Sequence, residues 1–567
     1  MKKKIAVLLA LIMTLSLTAA CAEGSGGGSR NKKSGETVDL VIYSQLANSA
    51  GVQSGWGGEV FLEKFNVRVT IINEMDGTFA TRMQGGFLGD IVIFGTDSGQ
   101  YLEAVNAGML LDWEKDDLLE DFGPYISEHM QLALEKNRGI TGGTVYGFGH
   151  NVAGSAEDHE AHIYYPYLRW DLYEKLGKPP INTLEDYIPI MAAMRDLEPV
   201  SSIGTPTYGV SSFPDWDGDM VMMVKSTPAL YGWEEFGFGL YHVATQEFEG
   251  CLEPNGWYTR SLKFYNTLFQ MGLYDPDSMT QTFNDAAAKY RNGVSFWNIF
   301  TFVAETYNTT ANLEAGKSIQ CIPAADQMNL VDGLNVYGNN RVWGIGANSE
   351  YPELAMEIIN WLCTPEGVLT NEYGPQGVTW DYDENGNTFL TDVGFKTRDD
   401  KRTIIEFNGV EMIYQEGELQ HNNMTWNRDS VNPDAANGDT FNWRNWESTI
   451  RTQPVSETEA SWRAWAGDVV TADEFLRNQG MVAVSLGTPF AFGEKTPELE
   501  VIWEQVAQEI RAGSWSAIYA KNDQEFDDII ANMHKNARAY GYDQCIDWIQ
   551  IEAQRRRIEE NKVLAMQ

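Results

Sequence analysis

The chain reads as an α/β protein of more than one lobe, on three observations. Its 567 residues far exceed the roughly 100 to 200 of an ordinary domain. Near-continuous apolar runs such as Ile91-Val92-Ile93-Phe94 alternate with helical patterns early in the chain, which is how a parallel sheet covered on both faces is written in sequence. Helical periodicity then dominates the C-terminal end, where Phe526, Ile530, Met533, Ala537 and Tyr540 recur at three- and four-residue steps. With 43% hydrophobic and 12% aromatic residues the chain has ample core material and is not an acidic disordered tail. Its 80 Asp and Glu against 41 Lys and Arg, net charge -39, repel phosphates and anionic headgroups, which excludes nucleic-acid binding.

Lys2, Lys3 and Lys4, the apolar stretch Ile5 to Ala20 and the small residues before Cys21 make residues 1–20 a secretory signal peptide. That stretch is shorter than the roughly 20 residues a spanning helix needs, and no later run approaches it, so no transmembrane segment is expected. Cys21 opens a Gly/Ser-rich tract, GSGGGSRNKKSGE, which makes 21–36 a flexible tether. Six basic residues and one acid precede Ser34, leaving 35 bases against 79 acids in the body. Cys251, Cys321, Cys363 and Cys545 form no C-x-x-C pair and no zinc spacing, and free buried thiols are expected.

TVDLVIYS (37–44), VRVTIINE (67–74) and DIVIFG (90–95) are the first strands, with helices at GGEVFLEKFN, near 78–84 and at GQYLEAVNAG. Ligands of such sheets sit beyond the carboxyl ends of the strands, so Gln45, Thr96 and Asp97 become candidate binding residues. YGFG (146–149) is a crossing strand. Beyond it Thr183 with Asp186 marks a helix start, and a second lobe begins. Pro352 opens an amphipathic helix with Leu354, Ile358, Trp361 and Leu362 on one face. No internal repeat is present.

Several stretches carry a family resemblance: YLRWDLYEKLGKPPINTLEDY, LKFYNTLFQMGLYDPDSMTQ with RNGVSFW, WGIGANSEYPELAMEIINWLCTPEG, NEYGPQGVTWDYDENGN and FDDIIANMHKNARAYGYDQCIDW. In their order the chain resembles the extracellular solute-binding proteins (family 1) of ABC importers, in the lipobox-anchored, LplA-like branch of Gram-positive bacteria. LTAAC resembles the lipobox, with Thr18 where Leu is usual. The resemblance implies acylation of Cys21 and a lipid-anchored monomer on the extracellular face of the cell membrane. It implies an α/β, two-lobed periplasmic-binding-protein-like fold (type II) with an interlobe cleft and a helical C-terminal region. Lobe 1 is then 37–150 plus 322–375 and lobe 2 is 151–321. Residues 376–567 form a β-hairpin and a C-terminal region packing on both lobes. The implied function is capture of a carbohydrate, an oligosaccharide in most relatives, for permease subunits, with no cofactor and no catalysis; the alternative is a secreted glycoside hydrolase.

Sugar sites combine aromatic platforms with polar side chains. The candidates are Trp56, Trp216 with Asp217 in FPDWDGDM, Trp297 with Asn298 in GVSFWNIF, and Trp343, alongside Gln45, Thr96 and Asp97; Trp216 and Trp297 lead. Asp381, Asp383, Asn385, Asn387 and Asp392 match a calcium-loop spacing around Gly386, but Asn385-Gly386 is also the strongest short hairpin signal, and the hairpin is the expected outcome, with no metal. No nucleophile elbow, P-loop or H-E-x-x-H motif occurs.

Overall fold

The computed structural model describes residues 37–75, 77–159, 164–452 and 454–566. The signal peptide, Cys21 and the tether lie outside the described residues. The chain divides into Met1–Val38 and Asp39–Gln567, and the architecture below is that of the second unit. Of the eighteen strands among the described residues, nine make up two of its sheets: β1 (Val38–Ser44), β2 (Gly51–Val52), β3 (Val67–Asn73), β4 (Ile91–Phe94), β5 (Gly147–Gly149), β6 (Tyr164–Arg169), β7 (Trp297–Phe300), β8 (Ile319–Cys321) and β9 (Val342–Ile345).

The first sheet has the order β2-β3-β1-β4-β9-β5. β1 and β4 are parallel, with Tyr43 opposite Val92, and all four residues of β4 are buried, as a strand covered on both faces requires. The sheet is nevertheless mixed, which corrects the expectation of a purely parallel one. β9 enters after an excursion of some 190 residues and runs antiparallel to both β4 and β5, because the chain returns to the sheet from its opposite end. The core here gathers Tyr43, Phe79, Phe94, Tyr101 and Val342.

A second sheet, β7-β6-β8, is antiparallel throughout. Its core joins Leu168, Trp170, Trp297 and Ile319 with residues of the C-terminal helices, among them Trp503, Trp515 and Ile549. The two sheets together with the C-terminal helices give the α/β body expected. The capping box forms, with the Thr183 side chain on the Asp186 backbone and the Asp186 carboxylate returning to Thr183. Pro352 sits in the first turn of the helix Pro352–Cys363. Gly541, at φ +108, ends the helix Asp523–Tyr540 in the left-handed region that favours glycine. Cys251, Cys321, Cys363 and Cys545 are free and buried. No helix among the described residues is long and apolar enough to cross a membrane.

Candidate functional site

The site is built on an aromatic row carried by the second sheet and its neighbours. Trp216 is 44% exposed, which is unusual for so large an apolar ring in a chain whose other leading tryptophans are buried. It stacks on Phe283 at 4.6 Å, meets Phe213 edge-on at 5.0 Å and lies 6.0 Å from Phe302. Phe302 is equally exposed. From it the row continues to Phe300 at 5.7 Å and from Phe300 to Tyr164 at 5.8 Å. Phe300 stands opposite Tyr164 across β7 and β6, with a register shift between Asn298 and Phe300. The Asn298 carboxamide accepts the Phe300 N–H at 2.7 Å, so this candidate ligand residue shapes the strand irregularity from inside. It is buried and presents nothing to solvent.

The Trp216 loop is fastened from behind. Asp217, proposed from sequence as a ligand contact, is buried; its carboxylate accepts from Met222 N–H at 3.0 Å and from the Trp515 indole N–H at 2.7 Å. Burial raises its pKa, and these donors oppose the shift. Trp503 donates to Asp219 at 2.8 Å and Arg511 to the Gly218 carbonyl at 2.6 Å. Three side chains of one helix, Pro497–Ile518, thus hold the turn that pushes Trp216 outward. Beyond Phe302, Glu305 accepts from the Tyr167 hydroxyl at 3.0 Å. It reaches solvent, and the partial loss of water around its carboxyl raises it above the usual range, opposed by the Tyr167 hydroxyl.

Three further tryptophan candidates are corrected by burial, since each is 0% exposed. Trp297 packs between Tyr187 and Phe264, each at 5.6 Å, because β7 is covered on both faces. Trp56 donates to the Tyr414 carbonyl at 2.8 Å and stacks on that ring. A Cβ at Gly417 would collide with the Trp56 ring, so close packing, rather than turn geometry, explains that glycine. Trp343 lies in β9, donates to the Met424 carbonyl at 3.0 Å and meets His421 edge-on.

At the first sheet, the predicted loop residues do come together. The Gln45 carboxamide accepts Gly95 N–H at 2.8 Å and donates to Gln100 at 2.6 Å, tying the carboxyl end of β1 to that of β4. Thr96 is exposed beside it, and Asp97 pairs with Lys136 at 3.2 Å. His150 is buried; its Nδ1 accepts from Arg341 N–H, and burial beside Arg341 and Lys136 lowers its pKa to about 4, so it stays neutral at physiological pH.

The 381–392 stretch folds as a hairpin, Trp380–Tyr382 against Thr388–Leu390, with Gly386 at φ +83. The Asp383 carboxylate accepts from the N–H groups of Asn385 and Asn387 and from the Asn387 side chain, which hold it below the usual carboxylate range. Asp381 accepts from Gln376 and Tyr382, while Asp392 has moved into the first turn of the next helix. The carboxylate oxygens of Asp381 and Asp383 therefore serve the turn, and no group of three or more His, Cys, Asp or Glu placed to hold a metal ion is found among the described residues.

Sequence reasoning missed Phe302, Phe283, Phe300 and Tyr164. The F-x-F spacing of Phe300 and Phe302 at the end of a short apolar run was the available signal.

No family model matches the chain. The lipoprotein LipO of Bacillus subtilis (strain 168) is 21% identical over 301 residues, 50% of this chain and 55% of that protein; the chain thus spans about half the length of this curated relative. An extracellular solute-binding protein from Bifidobacterium longum subsp. infantis superposes with a TM-score of 0.47 at 12% identity, covering 92% of this chain and 98% of that one. The N-glycan transport solute-binding protein NgtS of Streptococcus pneumoniae does so at 0.43 and 14% identity, covering 92% and 99%.

Proposed function

We propose that the protein is a membrane-anchored substrate-binding component of an ABC transporter, which captures an oligosaccharide between two lobes and hands it to permease subunits. The observation that carries this reading is the solvent-exposed pair Trp216 and Phe302 at the head of an aromatic row. Flat rings held at fixed spacing suit the apolar faces of successive sugar rings, and polar side chains suit their hydroxyls. Gln45, Thr96 and Asp97 on the first sheet are the polar groups of the facing lobe. A ligand touching both lobes stabilises the closed form, so that capture and recognition by the transporter are coupled.

Anchoring rests on the lipobox-like LTAAC and the tether after Cys21, and a curated relative named as a lipoprotein is consistent with it. The protein then stands on the extracellular face of the membrane as a monomer. It binds without breaking bonds, and lobe 1 (37–150 plus 322–375) and lobe 2 (151–321) move as bodies about the crossing segments. Thermal unfolding with kestose, Man5GlcNAc and β-1,4-mannotetraose tests this. Stabilisation by at least one saccharide, recovered intact, is expected. Cleavage products would instead support the glycoside-hydrolase alternative, and no stabilisation by any carbohydrate would remove the carbohydrate reading.

A further inference from the structure

We infer that the aromatic row selects uncharged saccharides and rejects uronate-bearing ones; this rests on the carbohydrate reading above. Two carboxylates border the row, and among the described residues each accepts from a neutral donor. Asp215, exposed and adjacent to Trp216, accepts the Phe283 N–H at 2.8 Å. Glu305, one turn past Phe302, accepts the Tyr167 hydroxyl at 3.0 Å.

The bases that reach this loop are already committed. Lys225 Nζ bridges the Asp217 carbonyl and the Glu235 carboxylate, at 2.8 Å each. Arg511 divides between the Gly218 carbonyl and Glu504. Arg291 closes the helix that Phe283 opens, about 12 Å away along its axis.

A saccharide carboxylate laid against Trp216 would lose water, find no uncommitted counter-ion among the described residues and face two like charges, an uncompensated desolvation. A neutral sugar meets the same groups as hydrogen-bond acceptors for its hydroxyls, and bonds to a charged acceptor are the stronger kind. One set of side chains therefore attracts one class and repels the other, which is how specificity by exclusion works. The excess of 79 acids over 35 bases in the body adds a longer-ranged repulsion that salt screens.

Calorimetric titration of the purified protein tests this. The tightest-binding neutral member of the kestose, Man5GlcNAc and β-1,4-mannotetraose set is compared with its C6-oxidised form, tetramannuronate in the case of mannotetraose. The oxidised form is expected to bind at least about tenfold more weakly, with a gap that narrows as salt is raised and in the Asp215→Asn/Glu305→Gln double variant. Equal or tighter binding of the oxidised form, or a gap indifferent to salt and to both substitutions, overturns the inference while leaving carbohydrate capture standing. Absence of binding by every saccharide removes the carbohydrate reading and the inference together.

Discussion

Replacing Trp216 with alanine separates a binding platform from a packing residue. A tryptophan ring brings up to about 250 Å² of burial, of which the 44% still exposed is free for a ligand. One sugar face covering most of that, at about 25 cal/mol per Å², contributes about 1.5 to 2.5 kcal/mol. Trp216→Ala is therefore expected to weaken saccharide binding about 10- to 70-fold. The variant also loses the stack on Phe283, about 0.5 to 1.5 kcal/mol of stability, so its melting point drops by a few degrees while circular dichroism stays native. Calorimetry at a temperature where both proteins are folded reads the two effects apart. A dissociation constant within twofold of the parent's would refute the platform reasoning, because the ring's exposed face would then be irrelevant to the ligand.

Trp297→Ala is expected to behave in the opposite way. It opens a cavity in the second core at a cost of about 3 to 5 kcal/mol but leaves affinity per folded molecule within about threefold, as calorimetry beside chemical denaturation would report. Asp217→Ala strands the buried Trp515 indole N–H and Met222 N–H, costing about 2 to 4 kcal/mol in urea unfolding, and loosens the 213–220 loop in hydrogen exchange; Asp215→Ala, at an exposed position, costs under about 1 kcal/mol. His421 is fully buried and its pKa falls from 6.5 to about 4 through burial. The unfolded chain takes up its proton first as pH drops, so this stability is present above pH 6.5 and is lost on descending toward 4. His421→Gln should thus lose about 2 kcal/mol less than the parent between pH 7 and 4.5; parallel pH profiles would contradict it.

The local features were readable because they are local. The Asn385-Gly386 hairpin, the Thr183 and Asp186 capping box and the apolar strands β1, β3 and β4 each depend on neighbours a few residues away. The loops at Gln45 and Thr96-Asp97 followed from the same strand pattern, since a strand's carboxyl end is set once the strand is. The exposure of Trp216 was legible through its Pro/Asp/Gly-rich loop, whereas Trp297 misled because four consecutive buried residues in β7 look, in sequence, the same as an edge that faces a cleft. Trp56 and Trp343 could not be resolved at all. Their partners, Tyr414 and Met424, lie 358 and 81 residues away, and nothing in a loop's composition announces that a distant segment will cover it. The antiparallel entry of β9 and the clamp of Trp503, Arg511 and Trp515 on the 217–219 turn are hidden for the same reason.

The most direct measurement is equilibrium dialysis of the purified protein with the stabilising saccharide, followed by mass analysis of everything recovered. One intact saccharide bound per chain, with no smaller or larger products after prolonged incubation, is the predicted result. Products of hydrolysis or transfer, or a bound fraction no greater for carbohydrates than for an unrelated solute, would contradict the account.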